Sequence, residues 1–153
     1  MPDSSPSPLD PINAYLRTQL PLTHAMGIAV TAWDGHTVTL TAPLAPNMNH
    51  ADTAFGGSIA ALGILAGYTL LFLAMRDRQI SNRLLIQKSE VDFLRPIDTD
   101  LRATASAPEP PALDTFLETL QRKRRSRISL PSSIFTGQLL AATHTGLYIA
   151  ILY

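Results

Sequence analysis

From Ala54 to Met75 the chain carries no charged side chain, and its apolar residues fall on every side of a helix rather than on one face. A helix that is apolar all round must be enclosed by protein or by lipid. The pattern predicts this helix over about Gly57 to Arg76, with Arg76 and Arg78 near its end complementing the helix dipole. Around it the period changes. Ile12, Tyr15 and Leu16 mark one face of a short helix that begins at Asp10-Pro11 and stops before Pro21. Gly27 to Trp33 reads as a strand, Asp34-Gly35 as a hairpin turn, and Thr37 to Thr41 as a strictly alternating strand with Val38 and Leu40 turned to a core. Pro43 and Pro46 end that strand.

After the long helix, Leu84 to Leu94 separates Lys88, Glu90 and Asp92 from Ser89, Val91 and Phe93 on the other face. Leu101 to Ala107 alternates in the same way. Pro108, Pro110 and Pro111 form a loop, and Leu113, Phe116, Leu117 and Leu120 mark a second amphipathic helix that ends in a basic run. Arg127 to Phe135 and Leu139 to Tyr153 are the last strands, joined at Gly137-Gln138. The order predicts an α+β fold in which an antiparallel sheet curls around the long helix. Residues 1–9, rich in Pro and Ser, read as a disordered tail in front of a single domain over residues 10–153.

The long helix could also span a bilayer by length, and Gly63 and Gly67 form a G-x-x-x-G pair. Two glycines and a serine at its start, Tyr68 and Thr69 in its middle, and alternating strands after it favour a soluble core helix. Lys plus Arg equals Asp plus Glu at 12 each, so no global charge draws the chain to nucleic acid or an anionic membrane. With no cysteine, disulfides, thiolate metal sites and a thiol nucleophile are excluded. The four histidines lack metal-ligand spacing, no metal is expected, and no P-loop or dinucleotide fingerprint occurs. The first residues lack a basic and then apolar leader pattern, so a cytoplasmic protein is expected.

The candidate chemistry gathers before the long helix. Backbone N–H groups of Gly56 and Gly57 could stabilise an oxyanion, because glycine lets a ligand approach and helix N-termini leave donors free. A plain tight turn is the simpler reading. Asp52 is the carboxylate of this loop and His50 its imidazole, the two groups able to activate water; each also suits an ordinary turn. Asn47 and Asn49 could orient water or substrate, or simply build the loop. Ser58 has no triad pattern with any histidine. Arg122, Lys123, Arg124, Arg125 and Arg127 suit either phosphates or a solvated helix end.

The element order, with two glycines heading the buried helix, resembles the hotdog fold of acyl-thioesterases and dehydratases. The string L-A-P-N-x-N-x-x-x-T-A-F-G-G-S, from Leu44 to Ser58, resembles more closely a family of bacterial thioesterase-like proteins, whose domain also occurs behind acetyltransferase domains. The resemblance spans about Tyr15 to Tyr153. It implies a homodimer, with a tetramer as the larger option, whose sheets join edge to edge. It also implies acyl sites at the protomer interface beside the N-terminus of the central helix. Phe55 stands where the H-G-G thioesterases have histidine, and Ile64 stands near the place of their helix acid. The resemblance therefore implies the fold without that group's histidine and acid.

On this basis the expected activity is hydrolysis of an acyl-CoA or acyl-carrier-protein thioester, with no cofactor beyond the coenzyme A of the substrate. Asp52, Asn47, Asn49 and Gly57 are the expected catalytic residues. His50, Thr53, Phe55, Gly56, Ser58, Arg124 and Arg125 are the expected substrate contacts. A non-catalytic acyl-ligand-binding module is the alternative, and a dehydratase-like enzyme a third reading.

Overall fold

The computed structural model of the chain describes residues 5–153. The first part of the expected tail, residues 1–4, lies outside the described residues. The backbone N–H of Ser7 donates to Asp10 Oδ2 at 2.9 Å, and Leu9 packs against the core. Helix α1 (Asp10–Gln19) has proline in its first turn, where a missing N–H leaves no helical bond unmade. It buries Ile12 and Leu16. A five-residue helix α2 (Leu22–Met26) follows, too short to show as a period. Gly27 closes it at φ 70°, the left-handed conformation that suits glycine at a helix end.

Strands β1 (Ala29–Trp33) and β2 (Thr37–Ala42) form the expected hairpin. Asp34 Oδ1 accepts from the backbone N–H groups of Thr37 and His36 at 2.6 and 2.8 Å, which pins the turn. The same two bonds hold the Asp34 carboxyl below the ordinary carboxylate range. Then come α3 (Gly56–Asp77), β3 (Asn82–Phe93), β4 (Leu101–Ser106), α4 (Ala112–Lys123), β5 (Arg125–Thr136) and β6 (Leu139–Leu152). The strands form one antiparallel sheet in the order β1-β2-β4-β5-β6-β3, so β3 is an edge. Alternation puts Val38 and Leu40, Leu101, Ala103 and Ala105, and Leu130 and Ile134 into the core with α3.

Helix α3 is long and apolar enough to cross a membrane, yet most of its apolar stretch is buried inside the fold. The sheet takes up most of its circumference, although not all. Twelve of its 22 residues are buried, while Ala61, Ile64, Tyr68 and Phe72 form a half-buried stripe. Helices α1 and α2 flank that stripe: Tyr15 stacks on Phe72 with centroids 4.2 Å apart, and Leu22 shares a groove with Ala61.

The Gly63 and Gly67 pair has its cause in this packing. A Cβ at Gly63 would lie 2.7 Å from His144 Cβ, and one at Gly67 would lie 2.7 Å from Tyr148 Cζ. The glycines let two rings of β6 close onto the helix, which is a sheet contact and not a helix-dimer face.

Candidate functional site

The loop between β2 and α3 is braced by its asparagines. Asn47 ends a 3-10 turn (Ala45–Asn47) and is buried. Its Nδ2 donates to the carbonyls of Met26 and Pro43, both at 2.8 Å, and its backbone carbonyl accepts from Phe55 N at 2.7 Å. Its Oδ1 is buried without a partner. Asn49 Oδ1 accepts from the backbone N–H groups of Ala51 and Thr53 at 2.8 and 3.2 Å, and Asn49 Nδ2 donates to Thr53 Oγ1 at 3.0 Å. The Asn47 Nδ2 and both ends of the Asn49 amide are therefore tied to neighbouring backbone and side-chain atoms, and Asn47 Oδ1 alone is left over. Asp52 sits in this turn at φ 60°, exposed, and its carboxylate meets no hydrogen-bond donor among the described residues. His50 is exposed beside it.

The loop delivers the chain to the head of α3. The helix has Phe55 as N-cap, with no side-chain cap. The first backbone N–H groups, those of Gly56, Gly57 and Ser58, therefore point out of the helix without a helical acceptor. The positive end of a 22-residue helix dipole lies at the same place. Two exposed rings border it. Phe55 Cδ1 would lie 3.0 Å from a Cβ at Gly57, and Phe93 Cζ would lie 3.6 Å from one at Gly56.

A groove of about 350 Å³ opens at this head, lined by Asn47, Phe55, Gly57 and Ser58 together with Leu22, Met26 and Ala61. It adjoins a second, strongly apolar groove of about 330 Å³ over Leu20, Leu22, Ala61, Ile64 and Leu65. Leu22 and Ala61 line both. From Gly57 to Leu65 the pair runs about 12 Å along the helix, at about 1.5 Å of rise per residue. Beyond Leu65 the Tyr68 and Tyr15 hydroxyls lie 3.1 Å apart. Burial, helped by that bond, pushes the Tyr68 hydroxyl well above the ordinary tyrosine range, so it stays neutral.

Of the residues expected from the sequence, Asn47, Phe55, Gly57 and Ser58 meet in one groove. Gly56 adjoins it through the backbone, while His50, Thr53 and Asp52 stand in the loop outside the lining. Ser58 hydrogen-bonds to no histidine among the described residues. Leu22, Ala61 and Ile64 were missed, because the groove exists only where α2 comes beside α3. The left-handed Gly27 after Pro21-Leu22 was the available signal for that helix.

The basic run is divided rather than continuous. Helix α4 ends at Lys123, Arg124 takes a left-handed turn at φ 62°, and β5 begins at Arg125. Arg124 donates to the carbonyl oxygen of Tyr153. Lys123, Arg125 and Arg127 instead line a groove of about 520 Å³ with Thr119 and Ser126. None of the three is in an ion pair among the described residues. This groove is far from the head of α3. Arg125 is level with Ile151, and Ile151 with Arg83, whereas the helix head meets Phe93. From Arg83 to Phe93 is about 33 Å at about 3.3 Å per strand residue.

A further polar pair lies between β3 and β6. Ser89 Oγ and His144 Nε2 are 2.8 Å apart. His144 is only 1% exposed, its Nδ1 has no partner, and burial lowers its pKa below the ordinary histidine value. No group of three or more metal-ligating side chains occurs among the described residues.

Comparison with known proteins places this architecture. The family described as "Putative thioesterase (yiiD_Cterm)" matches residues 9–152. A solved protein of unknown function from Chlorobaculum tepidum superposes with a TM-score of 0.89 at 26% identity, over 94% of this chain and 93% of its own. A putative thioesterase from Shewanella oneidensis gives 0.85 at 24% identity, over 94% and 96%. A thioesterase from Haemophilus influenzae gives 0.75 at 15% identity, over 97% and 93%. At the identities of the last two, the likeness is one of fold, and it is the hotdog fold that the element order implied.

Proposed function

The chain belongs to this thioesterase family, and from that premise we propose that it hydrolyses acyl thioesters of coenzyme A or an acyl carrier protein at the head of α3. The observation that carries the reading is the uncapped, glycine-rich helix start opening directly into an apolar groove. The thioester carbonyl would accept from the Gly57 N–H, where donors aimed at the developing oxyanion favour the tetrahedral intermediate. The acyl chain would lie along Ala61 and Ile64. Asp52, with a free carboxylate on the adjoining turn, would position or deprotonate water. Asn47 and Asn49 would serve by bracing the loop that holds Asp52 and Gly57 in place.

We further propose that the working form is a homodimer paired through β3. This strand is twelve residues long, lies at the sheet edge, and exposes Leu85 and Phe93. An unpaired edge of that kind invites pairing with another strand. Antiparallel pairing of β3 with a second copy would turn the partner's basic groove toward this protomer's helix head. Coenzyme A phosphates would then be held across the dimer. Light scattering tests the assembly: a monomer at micromolar concentration would overturn it.

Phe55 and Ile64, standing where related enzymes carry a histidine and an acid, favour the second reading, an acyl-binding module without catalysis. Titration of free thiol during incubation with a panel of acyl-CoAs separates the two. Thiol release supports hydrolysis. Saturable binding with no release supports the module.

A further inference from the structure

The apolar groove beside α3 has a far end, and a stack of aromatic rings makes it. One wall of the groove is α3, with Ala61, Ile64 and Leu65; the other runs from the end of α1 into α2, with Gln19, Leu20 and Leu22. No residue of β3 lines it, so the walls do not depend on how that edge is paired. The Thr23 hydroxyl is already spent, donating to the Leu20 carbonyl at 2.8 Å. Apart from the exposed amide of Gln19, the lining suits an alkyl chain.

The lining stops at Gln19 on α1 and at Leu65 on α3. One turn further the two helices close on each other. Tyr15 precedes Gln19 by four residues and Tyr68 follows Ile64 by four, so each continues the face of its helix that lines the groove. The two tyrosines meet there, with their hydroxyls 3.1 Å apart. Helical side chains lean toward the N-terminus, which tips the Tyr68 ring back over the turn of Ile64 and Leu65. Phe72 backs both rings: its centroid is 4.2 Å from that of Tyr15 and 6.3 Å from that of Tyr68.

We propose that the Tyr15, Tyr68 and Phe72 stack is the end stop of the acyl site and sets its specificity for medium-length chains. The inference rests on the acyl chain lying in this groove, as hydrolysis at the head of α3 requires. An extended peptide covers about 3.6 Å in three bonds, so an extended alkyl chain covers about 1.2 Å per bond. The groove's run of about 12 Å from Gly57 to Leu65 therefore holds about ten carbons. A longer chain meets the rings and must turn out into water, where its extra methylenes gain nothing. Without the Tyr68 ring the next obstacle on that face is Phe72, four residues on. That is about 6 Å of helix, or about five more carbons.

The test is calorimetric titration of the full chain with S-hexyl-, S-decyl- and S-tetradecyl-coenzyme A. A buried methylene is worth up to about fourfold in affinity, so the wild type should bind the decyl compound at least ~10-fold more tightly than the hexyl, and the tetradecyl within ~3-fold of the decyl. In Tyr68→Ala the gain should continue, with the tetradecyl compound at least ~10-fold tighter than the decyl. Tyr68→Phe keeps the ring and should keep the plateau, a distinction that a merely structural role would not produce. Circular dichroism checks folding. Tyr15→Ala opens the same end from α1 and decides if Tyr68→Ala does not fold; the wild-type plateau decides if neither does. Four results would each overturn the proposal: no binding of any compound, no wild-type plateau, a plateau unmoved in folded Tyr68→Ala, or a plateau lost in Tyr68→Phe. A thioether has no acyl carbon for water to attack, so the plateau is read whether or not acyl-CoA is hydrolysed. Hydrolysis without the plateau sinks this inference alone, and the plateau without hydrolysis sinks only the catalytic reading.

Discussion

The hydroxyl of Tyr148, on β6, donates to the carbonyl of Ile64 inside α3 at 2.7 Å. Burial holds that hydroxyl neutral, far above the ordinary tyrosine range. Its ring lies against Gly67 and Gly146, so one side chain fastens the central helix to the sheet.

Gly67→Ala should therefore destabilise the fold. The new Cβ meets the Tyr148 ring, which is fully buried and has nowhere to move. Overpacking costs about 1–3 kcal/mol, which outweighs the gain of up to about 1 kcal/mol from alanine in a helix. Gly56→Ala meets Phe93 at 3.6 Å, an ordinary contact, and should change the melting temperature little. Thermal unfolding of the two variants side by side checks the contrast.

The buried imidazole of His144 should make stability depend on pH. Its folded pKa is lowered by desolvation, so in acid the unfolded chain takes up a proton that the folded chain refuses. The contribution is complete above the unfolded value, about 6.5, and is lost as pH falls toward the folded value. Denaturant unfolding from neutral to mildly acidic pH should show this slope. It should be weaker in folded His144→Gln.

Replacing Lys123, Arg125 and Arg127 together with Ala should raise KM for acyl-CoA and leave an acyl-pantetheine thioester unaffected, since only the former carries the nucleotide phosphates. The effect should shrink with added salt, because exposed charges are screened. Mixed dimers test the cross-dimer geometry. Combining this variant with Asp52→Asn should restore activity in the hybrid, because one of its two sites then has both parts intact.

Asp52→Asn should lower kcat by at least ~100-fold, as expected for loss of a general base. The fold should survive, since asparagine also tolerates the left-handed backbone that Asp52 adopts at φ 60°. Steady-state thiol release and a melting curve on one preparation give both readouts.

The parts of this fold that were legible before the structure are those with a strong local period. Helix α3 declared itself by its uncharged circumference, and β2 and β4 by alternation that the burial pattern repeats. Helix α2 was not legible, since five residues carry no period, and with it went the groove wall at Leu22. Asn47 was legible as a loop residue but not as a staple, because its partners Met26 and Pro43 are set by tertiary packing. Ser89 and His144 are 55 residues apart and meet only through strand register. The basic run read as a helix end, and the left-handed Arg124 at its middle sends its side chains to two places.

Thiol release from a series of acyl-CoAs of increasing chain length, by the wild type and by Ala61→Trp, tests the central claim most directly. Ala61 is half-buried and lines both halves of the groove, so an indole there should block it without disturbing the core. The account predicts that the wild type hydrolyses octanoyl-CoA, and that Ala61→Trp loses this activity while keeping that toward acetyl-CoA. No hydrolysis of any thioester by the wild type, or equal hydrolysis of octanoyl-CoA by both proteins, would contradict it.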